Sequence, residues 1–91
     1  MSYLHYKLRA GPNKLIQVKL RGKANVRLLD TLNYFKYRSG KPYQSAGEAA
    51  QEPVVNLKPP HAGEWHVIID LKGQDPEVRA FLQVLDLKTG P

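Results

Sequence analysis

The feature that most constrains this chain is a strict alternation of apolar and more polar residues near its C-terminal end. The apolar set is Trp65, Val67, Ile69 and Leu71, within residues 63–72. Alternation over eight or more residues indicates a β-strand with two different faces. A second alternating run follows at residues 77–85, after a short stretch that contains Gly73 and Pro76. The two runs therefore suggest neighbouring strands.

If residues 73–76 form a four-residue loop, the two runs pair as an antiparallel hairpin. The apolar face of this hairpin pairs Leu71 with Val78, Ile69 with Ala80, Val67 with Leu82 and Trp65 with Val84. On the other face Asp70 meets Arg79 and Ile68 meets Phe81, so opposite charges and apolar groups are cross-strand neighbours. The sequence predicts this hairpin, with Trp65 in the core.

Four further segments have the alternation or the β-branched composition of strands, and turn residues punctuate them. They are residues 3–8, 15–21, 25–30 and 54–58. A three-residue loop, Gly22 to Ala24, would align Val26 with Leu20 and Leu28 with Val18, and would set Lys19 directly opposite Arg27. Residues 3–8 are expected to form an edge strand, which is a geometric route to dimerisation by sheet extension.

Residues 31–38 change period, because Leu32 and Phe35 lie one helical turn apart. Asp30 or Thr31 can cap the start of a short helix, and Gly40 suits its end. Residues 41–53 have no apolar stripe and are predicted to be a mobile loop, while residues 88–91 form a tail. We expect a single domain over residues 1–91. Its predicted fold is all-β: a small antiparallel β-sandwich or flattened barrel of five to six strands with one short helix.

The net charge of +6 is unevenly distributed along the 91 residues. Residues 1–41 contain ten Lys and Arg and one acid, whereas residues 42–91 contain four Lys and Arg and seven acids. This asymmetry suits an anionic partner such as nucleic acid, or simply basic outward faces of strands. The absence of cysteine excludes disulfides and a thiol nucleophile. With no long apolar run and no apolar signal segment at the start, we expect a cytoplasmic protein without membrane contact.

Three blocks of sequence resemble a known family. They are residues 25–30 (NVRLLD), Asn33-Tyr34 with Tyr37-Arg38-Ser39-Gly40, and residues 63–71 (GEWHVIIDL). Their order and spacing are similar to those of the bacterial family called domain of unknown function 1883. The resemblance implies a β-sandwich-like domain, alone or fused to a TIR signalling domain, and it implies no activity and no catalytic residues. Residues 41–52 depart from the more basic, aromatic segment expected of the family.

The chain has three histidines, His5, His61 and His66. The spacing of His61 and His66 matches no metal-ligand motif, so no metal site is predicted. His66 shares a strand face with Asp70, and a carboxylate can orient an imidazole. An enzymatic site would need a pocket that joins His66, Asp70 and Arg79. The more ordinary interpretation is that Asp70 pairs with Arg79 and that the histidines are structural.

Three functional hypotheses follow, and no cofactor is expected in any of them. The first is a non-enzymatic binding or interaction module that takes an anionic ligand or a partner protein. Its candidate binding residues are Lys19, Arg21, Arg27, Tyr34, Tyr37 and Arg38. The second is a sequence-nonspecific nucleic-acid binder that uses these residues with Lys23 and Lys41. The third is an enzyme with the histidine site described above. The sequence leaves the ligand, the oligomeric state and the pathway open.

Overall fold

The computed structural model describes residues 3–50, 52–71 and 78–87, which form seven strands and one helix. The strands are β1 (Tyr3–Ala10), β2 (Lys14–Arg21), β3 (Asn25–Asp30), β4 (Gly47–Ala50), β5 (Val54–Leu57), β6 (Gly63–Asp70) and β7 (Arg79–Asp86), and the helix is α1 (Thr31–Arg38). A four-stranded sheet has the order β1-β6-β3-β4, and a three-stranded sheet has the order β5-β2-β7. All neighbouring strands are antiparallel. The predicted all-β sandwich with one short helix is confirmed.

The core lies between the two sheets, and alternate residues of both fill it. The fully or almost fully buried members from the strands are Ile16, Val18, Leu20, Val26, Leu28, Val55, Leu57, Trp65, Val67 and Ile69. Trp65 is 1% exposed, and its indole N–H donates to the carbonyl of His61 at 3.0 Å. The alternation of β6 therefore predicted its core-facing residues correctly, and Trp65 is a core residue.

The predicted hairpin between residues 63–72 and 77–85 is wrong. β6 lies inside the four-stranded sheet between β1 and β3, and β7 pairs with β2 in the other sheet. Asp70 and Arg79 are therefore not cross-strand neighbours, and neither are Ile68 and Phe81. Alternation indicates which residues share a face, but several strands with the same pattern satisfy it equally well. The predicted loop at residues 73–76 lies outside the described residues, as does the tail at residues 88–91.

The predicted pairing of β2 with β3 is also wrong, although the three-residue connection at residues 22–24 is correct. The two strands lie in different sheets, so Val26 does not pair with Leu20, and Arg27 does not pair with Lys19. Gly22 has a φ of 93°, and Ala24 is 3% exposed and belongs to the core. The connection thus passes over the end of the core from one sheet to the other.

Helix α1 begins and ends where the sequence predicts. The Asp30 carboxylate accepts from the backbone N–H of Asn33 at 2.8 Å, which is N-cap geometry. Gly40, with a φ of 73°, ends the helix in the left-handed region. Within the described part of the chain, no helix is long and apolar enough to cross a bilayer.

Residues 41–53 were predicted to form a mobile loop without regular structure. The prediction that they contain no regular structure is wrong. It contains β4, which pairs with β3 as the edge strand of the four-stranded sheet. The sequence of β4, Gly-Glu-Ala-Ala, has low strand propensity, and pairing with β3 overrides it. β1 forms the other edge of this sheet, as predicted.

Candidate functional site

The outer sides of the two sheets are both candidate sites, and they differ in whether the helix packs on them. On the four-stranded sheet, α1 packs against β3 and β6. Tyr34 and Tyr37 of the helix pack on Leu29 and Ile68 of the sheet, and all four are buried. We call this outer side the covered face. Its residues on β1, β3 and β6 are Tyr3, His5, Lys7, Arg27, Leu29, Glu64, His66, Ile68 and Asp70.

A chain of hydrogen bonds runs along the covered face beside the helix. His5 Nε2 lies 2.7 Å from His66 Nδ1, and His66 Nε2 lies 3.0 Å from Thr31 Oγ1. The Thr31 hydroxyl donates to Glu64 Oε1 at 3.2 Å, so Thr31 accepts from His66 Nε2–H. In a neutral imidazole, His66 Nδ1 then accepts from His5 Nε2–H. The chain therefore runs in one direction, from the exposed His5 through the buried His66 to a carboxylate.

The Tyr34 ring stacks on both imidazoles, and burial lowers the pKa of each. The Tyr34 ring stacks on His5 with centroids 4.1 Å apart and on His66 with centroids 4.6 Å apart. Burial lowers the pKa of His66, and His5 and Lys7 lower it further against the opposing effect of Glu64 and Asp30. Burial and Lys7 also lower the pKa of His5. The structural reading of His66 thus gains support, because its two ring nitrogens are both engaged.

On the other side of the helix, Arg27 is enclosed by acids and an aromatic ring. Its Nη1 donates to Asp70 Oδ2 at 3.1 Å, and its Nε lies 3.6 Å from Glu48 Oε1. The guanidinium carbon is 5.9 Å from the centroid of the Tyr37 ring. Burial and the Asp70 carboxylate raise the pKa of Tyr37 to about 12. Arg27 therefore acts as a charge partner within the fold, with 18% of its side chain exposed.

The structure does not form the predicted enzymatic site. Asp70 contacts Arg27, whereas Arg79 lies on β7 in the opposite sheet. His66 is hydrogen-bonded to His5 and Thr31 instead of Asp70. Among the residues that the structure describes, no group of three or more His, Cys, Asp or Glu side chains is placed to hold a metal ion.

The outer side of the three-stranded sheet, which we call the open face, is exposed at most of its residues. Its residues are Val54 and Asn56 on β5, Leu15, Gln17, Lys19 and Arg21 on β2, and Arg79, Phe81, Gln83 and Leu85 on β7. Phe81 is 59% exposed and Val54 is 44% exposed. Both flank Lys19 as its register partners. A shallow depression of about 390 Å³ lies beside Lys19 and Phe81.

Basic groups are concentrated on the open face. Arg21 is directly opposite Arg79, and Lys19 is the next outward residue along β2. None of these three forms an ion pair with a residue in the described ranges. Glu52, which is exposed and lies two residues before β5, forms none with them either. Like charges opposite each other across a ladder destabilise it.

The six residues predicted as one binding surface are divided between the two sides of the sandwich. Lys19 and Arg21 lie on the open face, whereas Arg27 lies beneath α1. Tyr34 and Tyr37 are the buried residues of the helix. Arg38 is exposed on the helix, with its guanidinium carbon 5.7 Å from the Phe35 centroid. The prediction that all six residues form a single surface is therefore wrong.

Sequence reasoning missed two residues of the open face, Arg79 and Phe81. Both were assigned to the incorrect hairpin, in which Asp70 and Ile68 would have been their cross-strand neighbours. The available signal was the outward set of β7, in which charged, aromatic and amide residues alternate with Ala80 and Leu82 of the core side. Such a mixture is typical of a solvated strand face.

The fold and these two surfaces define a small all-β domain with one helix-covered face and one open basic face. The chain belongs to the family described as domain of unknown function (DUF1883), whose model matches residues 1–86. This result confirms the resemblance found in the sequence. No curated protein and no solved structure matches the chain.

Proposed function

We propose that this domain is a non-enzymatic binding module and that the open face binds an anionic partner. The observation that carries the proposal is the opposed pair Arg21 and Arg79, with Lys19 beside it and no described ion pair to neutralise them. A bound anion would turn a repulsive cross-strand pair into a favourable bridge. Binding of the anion would then remove the repulsion between these like charges, which favours the bound state.

The covered face supports the same proposal by contrast. Its histidines and its arginine have partners on the sheet or on α1. A ligand at that face would have to displace Tyr34 or Tyr37, which are both buried. The open face needs no such rearrangement, because Lys19, Arg21 and Phe81 are exposed.

Two broader features of the proposal concern where the domain acts. We place it in the cytoplasm of a bacterium. The lack of cysteine supports a reducing compartment, and the bacterial setting follows from the resemblance described above. Fractionation of the host cell, followed by immunodetection of the native protein, tests this assignment. Recovery in the membrane or secreted fraction would contradict it.

The binding surface is tested by nuclear magnetic resonance with a heparin oligosaccharide as a generic polyanion. We expect amide shifts to change mainly in β2 and β7. Substitution of Arg21→Ala together with Arg79→Ala should reduce the slope of log affinity against log salt by roughly 2, since two charge contacts are lost.

The matched control is Arg9→Ala with Arg38→Ala, which removes the same charge from β1 and α1. Both control residues are exposed and lie away from the open face. The control variant should keep the wild-type salt slope. Shift changes centred on α1, or an equal loss of affinity in the control variant, would overturn the proposal.

A further inference from the structure

The open face contains an exposed aromatic ring among its basic groups. Phe81 is 59% exposed, compared with 51% for Phe35, and it forms no ring pair within the described part of the chain. Its partner across the ladder is Lys19. An anionic partner without apolar surface would leave this ring in water. The chemistry of the face therefore fits a ligand that is both anionic and flat-ringed.

We infer that the anionic partner is single-stranded nucleic acid, and this inference rests on the function proposed above. Phe81 stacks a base, and Lys19, Arg21 and Arg79 neutralise the phosphates on either side of it. Aromatic platforms within a basic surface are the recurring solution for single strands, because every base has a π-face and every nucleotide carries a charge.

The spacing of the side chains suits an extended chain that lies across the strands. Outward residues on one strand repeat about every 6.8 Å, and neighbouring strands are about 4.8 Å apart. Arg79 and Gln83 thus stand one repeat to either side of Phe81 on β7, while Lys19 stands beside it on β2. A base on the Phe81 ring would have basic groups within reach on two sides.

A row of amides extends the same surface. Gln17 lies opposite both Asn56 and Gln83, and its Nε2 donates to Asn56 Oδ1 at 3.1 Å. Exposed amides present donors and acceptors to the edges of unpaired bases. They make this side of the face polar without adding negative charge, so a second nucleotide fits next to the stacked one.

The geometry favours a single strand over a duplex. In a duplex the bases stack on one another, and no π-face is free to contact Phe81. The major groove admits a helix or a two-stranded ribbon, whereas the open face is a sheet of three strands. A duplex would therefore meet only the three basic side chains.

The inference is tested by fluorescence anisotropy with labelled oligothymidylate of about 12 nucleotides, within the ~4–16 nucleotides typical of such surfaces. A duplex of equal length and an oligoglutamate peptide are titrated in parallel, at about 50 and about 200 mM salt. We expect the single strand to bind most tightly and to lose most of its affinity at the higher salt.

The decisive pair of variants is Phe81→Ala and Phe35→Ala. Phe35 is also exposed, at 51%, but lies on α1. Phe81→Ala should weaken oligothymidylate binding about tenfold, with little effect on the salt slope, and Phe35→Ala should not change it. Phe81→Tyr keeps an aromatic ring and should retain affinity. Circular dichroism checks that each variant is folded.

The results separate this inference from the proposed function. Equal affinity for the duplex or the oligoglutamate, or wild-type affinity in Phe81→Ala, overturns the nucleic-acid assignment. If heparin still perturbs β2 and β7 in that case, the open face remains an anion-binding surface. If neither heparin nor oligothymidylate binds, both proposals fall.

Discussion

The covered face and the open face are built from the same alternating strands, yet their polar residues have opposite fates. On the covered face, α1 lies over the sheet, and Arg27 contacts Asp70 and Glu48. On the open face, Arg21 stands opposite another arginine and has no ion pair with a described residue. We infer that the paired charges of the covered face stabilise the fold, whereas the like charges that face each other on the open face can bind a partner.

The histidines illustrate how completely the covered face is organised around its helix. Thr31 at the start of α1 is at the centre of the hydrogen-bond chain from His5 to Glu64. The N-cap Asp30 fixes that first turn, so the position of the hydroxyl depends on the cap. A buried polar network of this kind is favourable only when each member finds its partner. The same groups would be costly without α1.

The largest expected contrast between the faces concerns apolar burial. Ile68→Ala should lower the free energy of unfolding by about 3 kcal/mol, because the residue is fully buried beneath α1. Val54→Ala removes an exposed side chain from the open face and should change it by less than about 0.5 kcal/mol. Urea denaturation midpoints measure both.

A milder variant guards against loss of folding. Ile68→Val removes one methylene group and should lower the free energy of unfolding by about 1 kcal/mol. Equal losses in Ile68→Ala and Val54→Ala would mean that the open face is also packed against something. The comparison on which the binding proposal depends would then fail.

The next contrast concerns charge. Arg27→Ala removes the guanidinium that contacts a carboxylate with 13% of its side chain exposed. We expect the free energy of unfolding to decrease by about 2 kcal/mol. This is less than for fully buried ion pairs, because both side chains keep some contact with solvent. Arg21→Ala should change stability by less than about 0.5 kcal/mol, since it also relieves repulsion with Arg79.

A double-mutant cycle sharpens this prediction. Arg27→Ala and Asp70→Ala should be non-additive, with a coupling free energy of about 1 kcal/mol. Arg21→Ala and Asp70→Ala lie on different sheets and should be additive. If Arg21→Ala destabilises the domain as strongly as Arg27→Ala, Arg21 makes a stabilising charge contact within the fold. The proposal that the basic groups of the open face bind a ligand would then lose its basis.

The extent to which sequence predicted this fold follows from what alternation encodes. It identified the core side of β6, with Trp65, Val67 and Ile69 buried. It did not identify the neighbours of β6, since register arguments are satisfied by any strand of suitable length. The missed signal was Ile68, an apolar residue on the supposedly polar face. Its burial under α1 marks β6 as a central strand covered on both sides.

The candidate site was only partly predictable for a related reason. Lys19 and Arg21 were identified from the alternation of β2, but Arg27 was grouped with them because the connection at residues 22–24 was interpreted as a hairpin. In the structure the chain changes sheets there, with Ala24 in the core. Arg79 and Phe81 join Lys19 through long-range pairing of β7 with β2. No local pattern specifies such pairing.

The smallest expected effect is the pH dependence that the covered face confers. The pKa values of His5 and His66 are lowered in the folded protein, mainly by burial, so the unfolded chain binds more protons. Stability from these groups is complete above the unfolded value of about 6.5 and decreases as pH falls through it towards the folded values. The effect is modest because His5 is exposed and solvent screens its charge.

Urea denaturation at intervals between about pH 7.5 and pH 5 measures this dependence. His66→Gln should flatten the profile, because it removes the buried member of the histidine pair. His61→Gln is the matched control, since His61 lies two residues before β6 and outside the hydrogen-bond chain, and it should keep the wild-type profile. A profile that His61→Gln flattens as much as His66→Gln would show that proton uptake is not confined to the covered face. The pH dependence of stability could then not be assigned to the hydrogen-bond chain of the covered face.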